Sequence, residues 1–290
     1  RVREKWFDDP AQFEGLVHLG VNLRGGVQSE MPVFYKEMEM MLRLGLPVAI
    51  HASQELPNSD DAADYEKRGF LGRNFLFCHY LAATDSDRAA MARTGTALSF
   101  STHSELRLGH TGDPRRALLK AREAGITLTL SSDATSICPP DMLEMMRFTW
   151  SLGIPWKGSD TEHLPRIGLH EIIEMATING AKALGLDDVT GSLTPGKRAD
   201  IMLISAEDVN TAPIGNIETT VVMAATPANV DTVMVDGRIL KRHGKLVDFN
   251  VPAIVRGAKT SAERIRTKAG GLLTPPCPGC GTPVFRAVAC

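Results

Sequence analysis

The sequence predicts an α/β protein built on a parallel sheet, and three observations carry that expectation. Between residues 13 and about 155, short apolar runs alternate with longer stretches of helical periodicity. The apolar runs are nearly continuous, as strands covered on both faces require. Polar residues gather where those runs end, and the carboxyl ends of parallel strands are where α/β proteins place their sites.

The elements follow in order. "GLVHLGVNL" (15–23) reads as a first strand, and "SEMPVFYKEMEMMLRLG" (29–45) as an amphipathic helix stopped by Gly45. "PVAIHAS" is the second strand, followed by a polar helix through "DDAADYEKRG". "NFLFCHY" (74–80) is the third, and its helix opens at "TDSDRAAMARTG", where Thr84 or Asp85 can cap. "TALSFS" with "DPRRALLKAREAG", then "ITLTLSSD" with "PPDMLEMMRFTWSLG", complete five strand–helix units. A further helix, "LHEIIEMATINGAKALG", ends at Gly185. The texture then changes. From near residue 191 to 250, "GSLTPGKRADIMLISA", "TTVVMAA" and "VDTVMVDGRILKRHGKLV" read as a small β-module. Residues 251–290 read as a C-terminal amphipathic helix and an irregular tail, leaving 1–190 for the α/β part.

Composition narrows the function classes. The chain has 290 residues, 43% hydrophobic and 23% charged, with a net charge of −2, which describes a globular protein with no basic excess for nucleic acid. No apolar run reaches the roughly 18 residues of a membrane span. Five cysteines are few, which fits a reducing, cytoplasmic setting better than a disulfide scaffold. Cys277 and Cys280 have the spacing of half a zinc knuckle, but a ribbon needs a second pair and only Cys290 is within reach. That segment is therefore read as irregular tail.

Function is carried by the strand ends. His51 follows "PVAI", His79 follows "NFLFC", "STHSE" follows "TALSF", and Asp133 follows "LTLSS". Each has an ordinary alternative: a strand-end histidine is often a satisfied core residue, and Asp133 could cap the next helix. Two imidazoles and a carboxylate aimed at one mouth make a site the simpler reading. Imidazole nitrogen and carboxylate oxygen suit a zinc- or iron-type ion, which makes hydroxide available near neutral pH. A carboxylate beside that water can take its proton.

"PVAIHAS", "FLFCHY", "LSFSTHSELRLGHTGDP", "LTLSSDATS", "LHEIIEMATINGAKALGLDDVTGSLTPGKRADIMLI" and "VDTVMVDGRIL" together resemble the amidohydrolase superfamily. The branch is that of cytosine deaminase, methylthioadenosine deaminase and the triazine hydrolases. The resemblance implies a (β/α)8 TIM-type barrel of which strands four to eight are visible, with a small flanking β-sandwich module. It implies one divalent metal, Zn or Fe, with His51 and Asp133 as ligands, Asp133 also serving as the base and His79 orienting the water or stabilising charge. The substrate would be a heterocyclic or cyclic small molecule cleaved at a C–N bond by deamination or amide hydrolysis, or less readily at C–Cl. No nucleic-acid or membrane partner is expected, and a homo-oligomer stays open.

Two departures bear on substrate. The branch usually has Glu three residues after the strand-five His; here Gln54 stands there, expected as a substrate contact, and Glu55 follows, so either Glu55 turns into the mouth as the proton shuttle or the substrate's leaving group needs no carboxylic acid. The Asn of the family's "SNLRLG" is Glu105 in "SELRLG", and Glu105 and His103 are expected to face substrate. The chain also has no His-x-His, the motif that ends the family's first strand, so an N-terminal part is expected to be missing. The competing expectation is a truncated or degenerate, non-catalytic barrel serving as a binding or structural module.

Overall fold

The computed structural model describes residues 2–9, 12–26, 29–52, 61–108 and 112–271. Residues 1–245 form one compact unit and 246–290 another. The sheet-forming part opens with α1 (Val2–Trp6) and a 3-10 turn over Gln12–Gly15, then β1 (Val21–Leu23) and α2 (Met31–Leu44). It continues β2 (Val48–His51), α3 (Ala62–Lys67), β3 (Phe75–Cys78), α4 (Asp85–Thr94), β4 (Ala97–Phe100), α5 (Thr102–Arg107), α6 (Pro114–Glu123), β5 (Leu128–Leu130) and α7 (Met142–Leu152). The five strands form one parallel sheet in the order β1-β2-β3-β4-β5, as their near-continuous apolar character anticipates. The first strand is shorter than its apolar run: residues 15–20 stay outside the ladder.

The register fixes what faces the mouth. His51 pairs with Cys78, Cys78 with Ser99, and Ser99 with Thr129, so one face of the sheet carries a polar row at its carboxyl end. The opposite face carries Ile50, Phe77, Leu98 and Phe100, all buried under the helices. There the aromatic core is continuous: Phe34 meets Tyr65 at 5.3 Å between ring centroids, and Tyr65 stacks on Phe77 at 6.3 Å. Phe77 meets Tyr80 at 4.8 Å, which ties the core directly to the segment after His79. Burying aromatic side chains of this size gives each strand a fixed inward face, and hence a fixed outward one.

Helix ends explain most boundaries. Thr84 and Asp87 make a reciprocal capping box at the start of α4. Asp141 caps α7, accepting from the Leu143 and Glu144 amides at 3.0 and 3.3 Å, so the helix starts after Pro139 and Pro140. The predicted helix 169–185 is two, α8 (Leu169–Ala176) and α9 (Ile178–Ala183), broken where Thr177 takes φ −132° and ψ −98°. Gly191 then passes so close to α9 that a Cβ there would lie 2.7 Å from the Ala181 side chain.

The segment after residue 191 holds β6 (Ile201–Ile204), β7 (Val230–Val235), β8 (Arg238–Arg242) and β9 (Lys245–Leu246), a four-stranded sheet in sequence order. Its β6–β7 and β7–β8 pairs are antiparallel. "TTVVMAA", expected to be β-rich, is instead helical: α10 (Ile217–Thr219) runs into a π-helical stretch, Thr220–Ala224. The reason is tertiary. Asn216 caps it through the Thr219 amide, Val222 is fully buried, and Arg147 of α7 donates to the Met223 and Ala225 carbonyls. β-branched residues follow packing over propensity when a buried site is available. In the second unit, α11 (Val251–Lys268) is an 18-residue helix capped by Asn250. No helix among the described residues is long and apolar enough to cross a membrane.

Candidate active site

His51, His79 and Asp133 stand at the carboxyl ends of β2, β3 and β5, and the fold draws them together. The His51 and His79 rings stack with centroids 5.5 Å apart, and His79 Nε2 lies 3.9 Å from Asp133 Oδ2. His79 is therefore the shared neighbour of the two expected metal ligands. Asp133 is not a helix cap, because Asp141 holds that place in α7. The ordinary explanation for a carboxylate at that strand end is thereby removed.

Backbone geometry marks two of these three places. His79, Tyr80 and Asp133 have positive φ, at 74°, 34° and 56°. Such angles cost non-glycine residues energy and persist only where surroundings over-determine them, commonly at functional sites. Here the surroundings are on hand. The His79 amide donates to the Ser99 carbonyl at 3.1 Å, and the Tyr80 hydroxyl accepts from the Ala62 amide at 3.3 Å. The Ser131 amide donates to the Phe100 carbonyl at 3.0 Å, and the Ser101 and Ser131 hydroxyls meet, fixing the ends of β4 and β5 beneath Asp133.

Electrostatics sort the groups. Burial holds the His51 imidazole below the ordinary histidine range, the neighbouring His79 adds to this, and Asp133 partly opposes it. His51 is accordingly neutral near pH 7, with a lone pair available to a cation. Burial also raises the Glu105 carboxyl, against its contacts with His79 and the Ser101 amide.

The remaining expected residues fall elsewhere. Glu105 lies beneath His79 on α5 and is 1% exposed, so it does not face the mouth as expected of a substrate contact. Its helix, α5, gave no separate signal in the sequence; burial alone reveals the residue's place. His103, also on α5, turns to α7, with Nε2 3.1 Å from Glu144 Oε1 and its ring 4.4 Å from that of Phe148. Gln54, Glu55, Cys277 and Cys280 lie outside the described residues. Among the described residues, no three His, Cys, Asp or Glu side chains form a group able to hold a metal ion.

The amidohydrolase family model matches residues 10–240, most of the chain. The chain belongs to the amidohydrolase family. Within it, this amidohydrolase chain is 31% identical over 201 residues to a 5-methylthioadenosine/S-adenosylhomocysteine deaminase of Desulforudis audaxviator, covering 69% of this chain and 45% of that one. The chain thus spans about half the length of the curated relatives it matches. Its fold is similar to part of a zinc-bound adenosine deaminase from Xanthomonas campestris, at TM-score 0.79 and 22% identity, covering 92% of this chain and 60% of that one. An atrazine chlorohydrolase from Arthrobacter aurescens, solved with zinc and atraton, superposes at TM-score 0.76 and 20% identity, with 89% and 57% covered.

Proposed function

We propose that the whole protein is a metal-dependent hydrolase that cleaves a C–N bond of a heterocyclic or cyclic small molecule, by deamination or amide hydrolysis. The observation that carries this is the meeting of His51, His79 and Asp133 from three strand ends, two of them on strained backbone. The donors fit a divalent zinc or iron ion in kind, a neutral imidazole and a carboxylate, and would supply two of its ligands. Bound there, such an ion supplies a water acidic enough to ionise near neutral pH. Asp133 takes the proton of the attacking water and passes it toward the leaving nitrogen, which departs as ammonia or an amine. His79, between the two ligands, orients the attacking water or the group it attacks. In this reading the five strands are strands four to eight of a (β/α)8 barrel, residues 191–250 belong to a flanking β-sandwich, and Glu55 remains a proton-shuttle proposal.

A second reading, a non-catalytic binding module, is favoured by the lack of a three-ligand group among the described residues. One experiment separates the two. The full-length protein, loaded with Zn(II) or Fe(II), is assayed for ammonia or amine release from aminopurine, aminopyrimidine and aminotriazine compounds, with metal content measured alongside. The expected result is turnover and one retained metal, both lost in His51→Ala. Asp133→Asn should lose turnover by about a thousandfold or more, as removal of a catalytic base does. Failure to retain metal or turn over any compound would support the binding module.

A further inference from the structure

Resting on the reading above that this mouth holds a small-molecule substrate, we infer that Arg24 sets the substrate class: its guanidinium receives a carboxylate carried by the heterocycle. Arg24 follows directly on β1, and the register says what it stands beside. Leu23 pairs with Ile50, so the next residue along β1, Arg24, comes level with the next along β2, His51. His51 in turn pairs with Cys78, Cys78 with Ser99 and Ser99 with Thr129. Arg24 therefore extends the polar row at the carboxyl end of the sheet by one strand, a spacing of roughly 4.8 Å between backbones.

The alternation along β1 gives the side on which Arg24 lies. Val21 and Leu23 pack against the hydrophobic core, as do Val48 and Ile50, with which they pair. Successive side chains of a strand take opposite faces, so Asn22 and Arg24 belong to the face that carries His51. Arg24 is exposed while Gly25 and Gly26 after it are buried, so it reaches into solvent from backbone that is itself packed.

Two facts argue for an anionic ligand. Of the segments that lead from a strand of this sheet to the next helix, only the first contains an Arg or Lys, and that residue is Arg24. The guanidinium groups of Arg68, Arg73, Arg88, Arg93, Arg116 and Arg122 are each held by a carboxylate. Arg24, by contrast, has no ion pair or hydrogen bond to any described residue, although the same segments carry Glu30, Asp61, Asp133 and Asp141. Its N–H donors are thus left to a ligand. Guanidinium presents them as a planar fork that matches the two oxygens of a carboxylate. A ring held at its reacting carbon in the mouth and at its carboxylate on the rim is fixed at both ends, which is what productive orientation requires.

The test uses the full-length protein supplied with Zn(II). It is titrated calorimetrically with aminopyrimidines, aminopurines and aminotriazines, each offered as its ring carboxylate and as the matching carboxamide. At least one carboxylate should bind about ten- to a hundredfold more tightly than its carboxamide, the worth of one charge-assisted contact. Arg24→Met should bring that pair to equal affinity. Arg24→Lys, which keeps the charge and loses the fork, should retain part of the difference. The inference is overturned if no carboxylate binds, if the paired forms bind equally to wild type, or if the preference survives in Arg24→Met. Amine release is followed separately. Tight carboxylate binding without amine release counts against the hydrolase and leaves the role of Arg24 standing; amine release with no carboxylate preference does the reverse.

Discussion

Cys78 shows how far a single residue's chemistry is set by its place in the sheet. It sits beside His51 in the register and immediately before His79, yet it is a poor nucleophile. Burial first, then the Asp133 and Glu105 carboxylates, pushes its thiol up to about 11 from an ordinary 9.0. Thiolate at pH 8 is then about a hundredfold scarcer than in a free cysteine. Iodoacetamide labelling followed by peptide mapping should find Cys78 correspondingly slow, and faster only as pH climbs toward that value. Brisk labelling at neutral pH would show that the mouth is more open or more positive than described. The sign for stability follows the same shift. The folded chain holds this proton longer than the unfolded one, so the contribution is full below 9.0 and is lost as pH rises toward about 11.

Among the elements, the junction between α9 and the chain leading to β6 depends on one glycine. Gly191 has φ +87°, and an added Cβ would stand 2.7 Å from the Ala181 side chain and 3.0 Å from the Ile178 Cα. Neither neighbour is the end of a flexible side chain, so something in the backbone must give. Gly191→Ala should cost about 1–3 kcal/mol, measured as a lower midpoint in urea with unchanged slope. An unchanged midpoint would mean that the junction yields freely. Helices were legible where caps and periodicity agreed, as at Thr84 and Gly45. They were illegible at 217–224, where β-branched residues are helical because Val222 finds a buried seat and Arg147 satisfies the carbonyl end. The break at Thr177 was equally silent, since the periodicity of 169–185 runs through it unaltered.

At the scale of the molecule, the parallel sheet has two edge strands, β1 and β5. Among the described residues, β1 has no strand partner on its outer side, and Val17 and Val33 are exposed. A parallel edge with apolar neighbours recruits further strands or other copies. The isolated 290-residue chain should therefore sediment as species heavier than its 31.4 kDa monomer, in proportions that rise with concentration. A single monomeric species over a wide concentration range would mean that the edge is already protected.

The sequence by itself determined the alternation of the first five strands with helices, the parallel sheet and the three polar strand ends. Those are local facts: apolar run length, caps, and the rule that side chains at a parallel strand's end share a rim with their register partners. The family followed from the same segments. Only the tertiary structure decided what the polar residues do to one another. Whether Asp133 caps a helix depends on Asp141, eight residues on, taking that place. Whether Glu105 reads substrate or stands behind His79 depends on α5 turning inward, with Ser101 holding the carboxylate. Burial and hydrogen-bond partners are properties of chain segments brought together, and no spacing within "SELRLG" encodes them.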